Sequence, residues 1–162
     1  MCIHPKRKRK SYSALSKLQS FATTVLADGK KRGRELVVGS ISKEVVIDLY
    51  QKGVTLETTD VIIDDAVIVK YIKHVKNQKG AVVDPDKYWI VEKTIRNPTH
   101  IYEDTKQKYL VYVNTRAYGR SRMLKVIVHP NFKTKGRTFN YLKSIGVISI
   151  EDMLGKQYRK IK

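Results

Sequence analysis

A chain of 162 residues is long enough to bury one core of ordinary size and too short for two full domains. Its 33 Lys and Arg against 15 Asp and Glu, a formal +18, exceed what solubility requires and point to a polyanionic partner, nucleic acid first. No apolar run approaches the ~20 residues of a membrane-spanning helix, and the lone Cys2 has no intrachain disulfide partner, which fits a reducing compartment.

In chain order, the run KRKRK at Lys6 to Lys10 is followed by an amphipathic segment instead of the continuous apolar core of a signal peptide, so it suits phosphate contact or a solvated run. Leu15, Leu18, Ala22, Val25 and Leu26 recur at helical spacing, with Ser11 or Ser13 as cap and Gly29 as stop. The basic link KKRGR then divides a helical appendage, residues 1–34, from a compact body, residues 35–162. In the body, ELVVG reads as a short buried strand, SKEVVIDLYQKG as a helix opened by Ser42 and closed by Gly53, and DVII as a second strand. Asp64 is placed to cap the next helix, which carries Lys70 and His74. DPDKYWIVEKTIRNP starts a further helix with Asp84 as cap and Pro85 at its first position, and ends before Pro98. Its Trp89, Ile90 and Ile95 read as core residues.

From His100 the pattern becomes β-rich: HIYED, YLVYVN, MLKVIVHP and FNYLKSIGVI are separated by polar or glycine-containing turns. The expectation is an α+β domain, a helical N-terminal half packed on a C-terminal antiparallel β-sheet. Thr105 to Lys162 holds fourteen basic and two acidic residues and Met1 to Glu35 ten and two, so the two ends of the chain should form the binding surface.

Lys70 and His74 are four apart, which on a helix places them on one face about 5–6 Å apart at Cβ. A charged lysine there would help keep the histidine neutral and able to accept a proton; an isolated K-x-x-x-H also fits a plain solvated face. His129, before Pro130, and His100 stand at strand ends, where each could donate a proton or serve structure alone. No metal-ligand motif, phosphate-cradling glycine loop or nucleophile elbow is present, so neither a metal nor a cofactor is expected. Arg116, Arg120 and Arg122 surround Tyr118, and Lys133, Lys135 and Arg137 surround Phe132. Cations that grip phosphate beside aromatic faces that stack on unpaired bases suit single-stranded RNA better than DNA; the same residues could also merely solubilise hairpin loops.

Taken in order, RELVVGSISKEVVIDLYQKGV, DVIIDDAVIVKYIKHVKNQKG, DKYWIVEKTIRNPTHIYED, MLKVIVHP and LKSIGVISIEDMLGKQYRKI resemble the phage-encoded barnase/EndoU/colicin/RelE-like nuclease domains over roughly Arg34 to Lys162. Such domains often form the C-terminal part of Mu-like phage minor head proteins. The resemblance implies a barnase/EndoU-like fold and metal-independent cleavage of RNA by transfer from the 2′-hydroxyl. It assigns His74 the acid/base role, Lys70 and Lys125 phosphate stabilisation, and Ser144 a hydrogen bond to a phosphoryl oxygen. It further implies action in the cytoplasm of a bacterial host or in association with the virion, with a phage head protein or an immunity protein as protein partner. The competing reading is a nucleic-acid-binding or head-assembly protein that uses the same charge without cleavage.

Overall fold

The computed structural model describes residues 16–74, 83–119, 121–153 and 155–162. Helix α1 (Lys17–Asp28) begins one residue after Ser16, whose Oγ accepts the Gln19 N–H at 3.1 Å, and stops at Gly29 in the left-handed region, φ 69°. The cap is therefore Ser16 and not Ser11 or Ser13, both of which lie outside the described residues. Strand β1 (Glu35–Ser40), helix α2 (Lys43–Gln51) and strand β2 (Asp60–Asp64) follow. Helix α3 (Asp65–His74) opens as expected, with Asp64 Oδ1 accepting the Val67 N–H at 3.2 Å. Asp84 and Pro85 start a single 3₁₀ turn, Pro85–Lys87, which leads into helix α4 (Tyr88–Arg96). Then come β3 (His100–Asp104), β4 (Tyr109–Asn114), the long hairpin β5 (Arg122–Thr134) and β6 (Arg137–Ser149), a 3₁₀ turn at Ile150–Met153, and β7 (Tyr158–Lys160).

The seven strands form one sheet in the order β1-β2-β6-β5-β4-β3-β7. Every pairing is antiparallel except β2 with β6, which run parallel through Val61↔Asn140 and Ile62↔Tyr141. The mixed α+β class holds, but the division into a helical half and an antiparallel half does not. Strands β1 and β2, from the first half of the chain, extend the same sheet past β6. Strand β1 is also less buried than its apolar run suggested: Val38 is fully buried while Val37 stays exposed.

The main core lies between the helices and one face of the sheet. Leu18, Ala22 and Val25 of α1 are fully buried in it beside Ile68 of α3, Val91 of α4, Leu124 and Val126 of β5, and Leu142 of β6. The first helix thus shares the core of residues 35–162. It is held there by polar contacts as well: the Leu18 N–H donates to Glu92 Oε1 of α4 at 2.9 Å, and the Trp89 N–H donates to Gln19 Oε1 at 3.1 Å. The linker after α1 is equally tied, because Asp65 Oδ2 accepts from the Arg32 N–H at 2.6 Å and from Arg34 Nε at 3.0 Å. Burial alone would raise the Asp65 carboxyl, but the Arg32 backbone N–H and the Arg34 side chain outweigh it and hold the group below the usual carboxylate range.

Helix α2 bridges the two edges of the sheet. It follows β1 at one edge, and its Asp48 accepts a two-pronged bond, at 3.1 and 2.6 Å, from Arg159 of β7 at the other. The guanidinium of Arg159 keeps the Asp48 carboxyl lowered.

Candidate nucleic-acid interface

Side chains alternate along β5: Leu124, Val126 and Val128 enter the main core, so Met123, Lys125, Ile127 and His129 face the other way. At the Met123 end this second face is closed by a small cluster of Val111, Val113, Met123 and Met153, with Tyr102, Ile148 and Tyr158 packed on it. At the His129 end it carries half-buried aromatic and basic side chains: Tyr109, His129, Phe132, Tyr141 and Lys143.

Two bulges assemble this end. His129 pairs with Tyr141 and Phe132 with Phe139, three residues apart on β5 against two on β6. In a regular strand His129 and Phe132 would point to opposite faces. The extra residue lies at Pro130 and Asn131; Pro130 has no N–H to give the ladder and Asn131 sits at φ 50°. Fully buried Asn140 holds the bulge, its Oδ1 accepting the Asn131 N–H at 3.1 Å while its Nδ2 donates to the Thr58 and Asp60 carbonyls. A second shift, between Ile127↔Ser144 and Val128↔Leu142, leaves Lys143 as the extra residue on β6.

The result is a compact constellation. Lys143 Nζ donates to Tyr109 Oη at 2.9 Å and lies 4.5 Å from the centroid of the same ring. The Tyr109 and His129 ring centroids are 4.9 Å apart, and His129 meets Phe132 edge-on at 5.2 Å. Burial, and then the charge of Lys143, push the His129 pKa below that of an ordinary histidine, so the imidazole is neutral at pH 7 and can accept a proton. Beyond it, Phe132 and Tyr141 lie 5.0 Å apart at an interplanar angle of 31°, and the Tyr141 hydroxyl donates to Asp64 Oδ1 at 2.9 Å. Burial first, and the Asp64 carboxylate second, raise the Tyr141 phenol and keep it protonated.

A groove of about 360 Å³ opens beside this face at the start of α3, lined by Lys31, Lys70, Tyr141 and Lys143 together with Ala66, Val67 and Val69. Lys143 belongs to both features and so links the groove to the aromatic cluster around His129. Lys70, chosen from the sequence, is exposed at this groove, its Nζ 5.2 Å from the Tyr71 ring centroid. His74 closes α3 one turn on; its side chain lies outside what is described. Lys125 and Ser144 do not line the groove. Lys125 stands on the second face of β5, four residues and about 13 Å along the strand from His129. Ser144 is turned to α3: its Oγ lies 3.3 Å from Tyr71 Oη, which also accepts the Ile145 N–H at 2.7 Å. Of the proposed catalytic set, Lys70 thus stands at the groove, Lys125 on a strand face and Ser144 at a helix contact, while the His74 side chain lies outside the described residues.

The two basic loops are separated too. They sit at opposite ends of β5, twelve residues or about 40 Å apart. Tyr118 packs on the main core with its hydroxyl buried, and Lys87 and Arg122 lie over its ring at 5.4 and 5.9 Å. Arg116 is exposed at the mouth of another cavity, and Arg120 lies outside the described residues. At the other end Lys133, near the end of β5, and Lys135, on the β5–β6 turn, are exposed, and Lys135 and Gly136 both take positive φ. Arg137 is committed to Glu35 at 2.6 Å and lies 4.9 Å over Phe139.

Tyr109, Tyr141 and Lys143 were missed by sequence reasoning, and His129 was weighed only as an isolated histidine. The available signal was the alternation Phe139, Tyr141, Lys143, which places an aromatic and a basic side chain on one strand face. Among the described residues no three His, Cys, Asp or Glu side chains converge as a metal site, and no described helix is long and apolar enough to cross a membrane. Comparisons with family models, with curated proteins and with solved structures found no match.

Proposed function

We propose that the protein is a metal-independent endoribonuclease that takes single-stranded RNA across the basic aromatic end of the sheet. The observation that carries this reading is His129 in ring contact with Tyr109, whose Oη accepts the Lys143 ammonium at 2.9 Å. In the reaction His129 takes the proton of the ribose 2′-hydroxyl and that oxygen attacks the adjacent phosphorus. Lys143 offsets the extra negative charge as it develops. Tyr109 accepts one hydrogen bond from Lys143 and keeps its own hydrogen to donate. That proton passes to the 5′-oxygen as the P–O5′ bond breaks, and the proton held by His129 then restores the phenol. The products are a 2′,3′-cyclic phosphate and a free 5′-hydroxyl. Phe132 and Tyr141 offer ring surface for flanking bases, and Lys31 and Lys70 offer charge to neighbouring phosphates.

The test is incubation with single-stranded RNA in EDTA, with identification of the product ends. Cyclic phosphate ends are expected, with rates lower by roughly 10²- to 10⁴-fold in His129→Ala and by roughly 10²-fold in Lys143→Gln. A substrate carrying one deoxyribose at the cleavage position should survive there. RNA that is bound and stays intact would instead establish a non-catalytic single-strand binder. The same ring contacts that orient His129 for chemistry would then serve only to hold it in place.

A further inference from the structure

A cavity of about 670 Å³ lies away from this constellation, between α4 and the adjacent ends of β3 and β4. Its wall includes Trp89, Lys93, His100, Asn114 and Arg116. Tyr109 and Asn114 are opposite ends of β4, about 17 Å apart along the strand, so the cavity and the proposed cleavage site are distinct.

The lining has a consistent chemistry. Lys93 and Arg116 are exposed at the cavity, and among the described residues neither is ion-paired and no carboxylate lines the wall. Arg116 is also anchored: its N–H donates to Oδ1 of buried Asn114 at 3.0 Å, and the Thr115 N–H donates to Thr99 Oγ1 at 3.1 Å. Two cations on a fixed rim favour a compact anion. The half-buried Trp89 indole in the wall, beside Ile90 and Pro98, favours a planar ring attached to it.

We infer that this cavity is a second binding site, for one nucleotide unit, with the base against Trp89 and the phosphate between Lys93 and Arg116. The unit comes either from a free nucleotide or from a single strand passing over this end of the molecule; the recognising chemistry is the same.

Trp89 is the chain's single tryptophan, so intrinsic indole fluorescence reports on this cavity. The experiment titrates the full chain with adenosine 5′-monophosphate, with adenosine, with inorganic phosphate, and with a 2′-O-methylated single-stranded oligoadenylate that cannot be cleaved. The monophosphate should quench the signal saturably, with adenosine and phosphate each at least tenfold weaker. The Lys93→Gln/Arg116→Gln double variant, with an unchanged melting temperature, should bind the monophosphate at least tenfold more weakly, while His129→Ala binds as the parent does. Tighter quenching by the oligoadenylate, reversed by the monophosphate, assigns the site to a strand; quenching by the monophosphate alone assigns it to a free nucleotide. No saturable change with any of these probes, or parent-like affinity in the double variant, overturns the site whatever the cleavage assay shows.

Discussion

His129 shows how one side chain acquires a role from its surroundings. Desolvation and the neighbouring Lys143 ammonium both disfavour its charged form. The folded protein therefore binds the proton more weakly than the unfolded chain, whose histidine titrates near about 6.5. Between the lowered value and that one the unfolded state holds more protons, so stability rises with pH across the window and is lost as pH falls through it. Chemical denaturation between pH 5 and 8 should show this loss, and His129→Phe, which keeps a ring among Tyr109 and Phe132, should flatten it. The cleavage rate should fall over the same acidic window, because a protonated imidazole cannot accept the 2′-hydroxyl proton. The Asp48 and Asp65 carboxylates, whose values are lowered, act in a separate and more acidic window. Histidine as a residue type was legible as a proton carrier. Which histidine has a cation and a phenol beside it depended on β5–β6 register and a bulge, and neither follows from local composition.

At the scale of elements, the Asp64 cap and the Gly29 stop were readable, whereas the Ser16 cap of α1 and the joins between elements were not. Asp64 capping α3 and Gly29 ending α1 are local events set by a side-chain acceptor and by tolerance of positive φ. The docking of α1 depends on Asp65 and Glu92, which are 37 and more residues from Asp28, the last residue of that helix. Asp65 is 1 % exposed and accepts three bonds from Arg32 and Arg34. Its replacement by Ala would leave these donors unpaired and should cost roughly 3 kcal/mol in denaturant unfolding. Strand β1 approaches α4 closely at Gly39, where an added Cβ would meet Ile95 Cγ2 at 2.8 Å. Gly39→Ala should destabilise by roughly 1–3 kcal/mol in denaturant unfolding through overpacking.

At the scale of the whole molecule, charge and closure are separable properties. The formal +18 predicts electrostatic binding to a polyanion, while only the groove says where several cations act together. Removing Lys70 as Lys70→Gln should reduce the slope of log K against log salt for single-stranded RNA by about 0.7 and leave the cleavage products unchanged. Closure of the sheet edges rests on Arg159 with Asp48, and Glu103 of the neighbouring β3 lies 3.5 Å from the same guanidinium. Arg159→Ala should cost about 1 kcal/mol and speed amide exchange in β7, with β5 and β6 unaffected.

The amino-acid sequence by itself determined most of the elements, though not β7, together with the α+β class, the cationic character and the types of side chain available for phosphate and base contact. These depend on periodicity, capping and composition, which act over a few residues or over the chain as a sum. The union of α1 with the core, the parallel join of β2 to β6 and the meeting of Tyr109, His129 and Lys143 were decided by tertiary packing. The separation of the two basic loops belongs with them, because pairing register, bulges and the length of β5 set distances between side chains that sequence spacing does not encode.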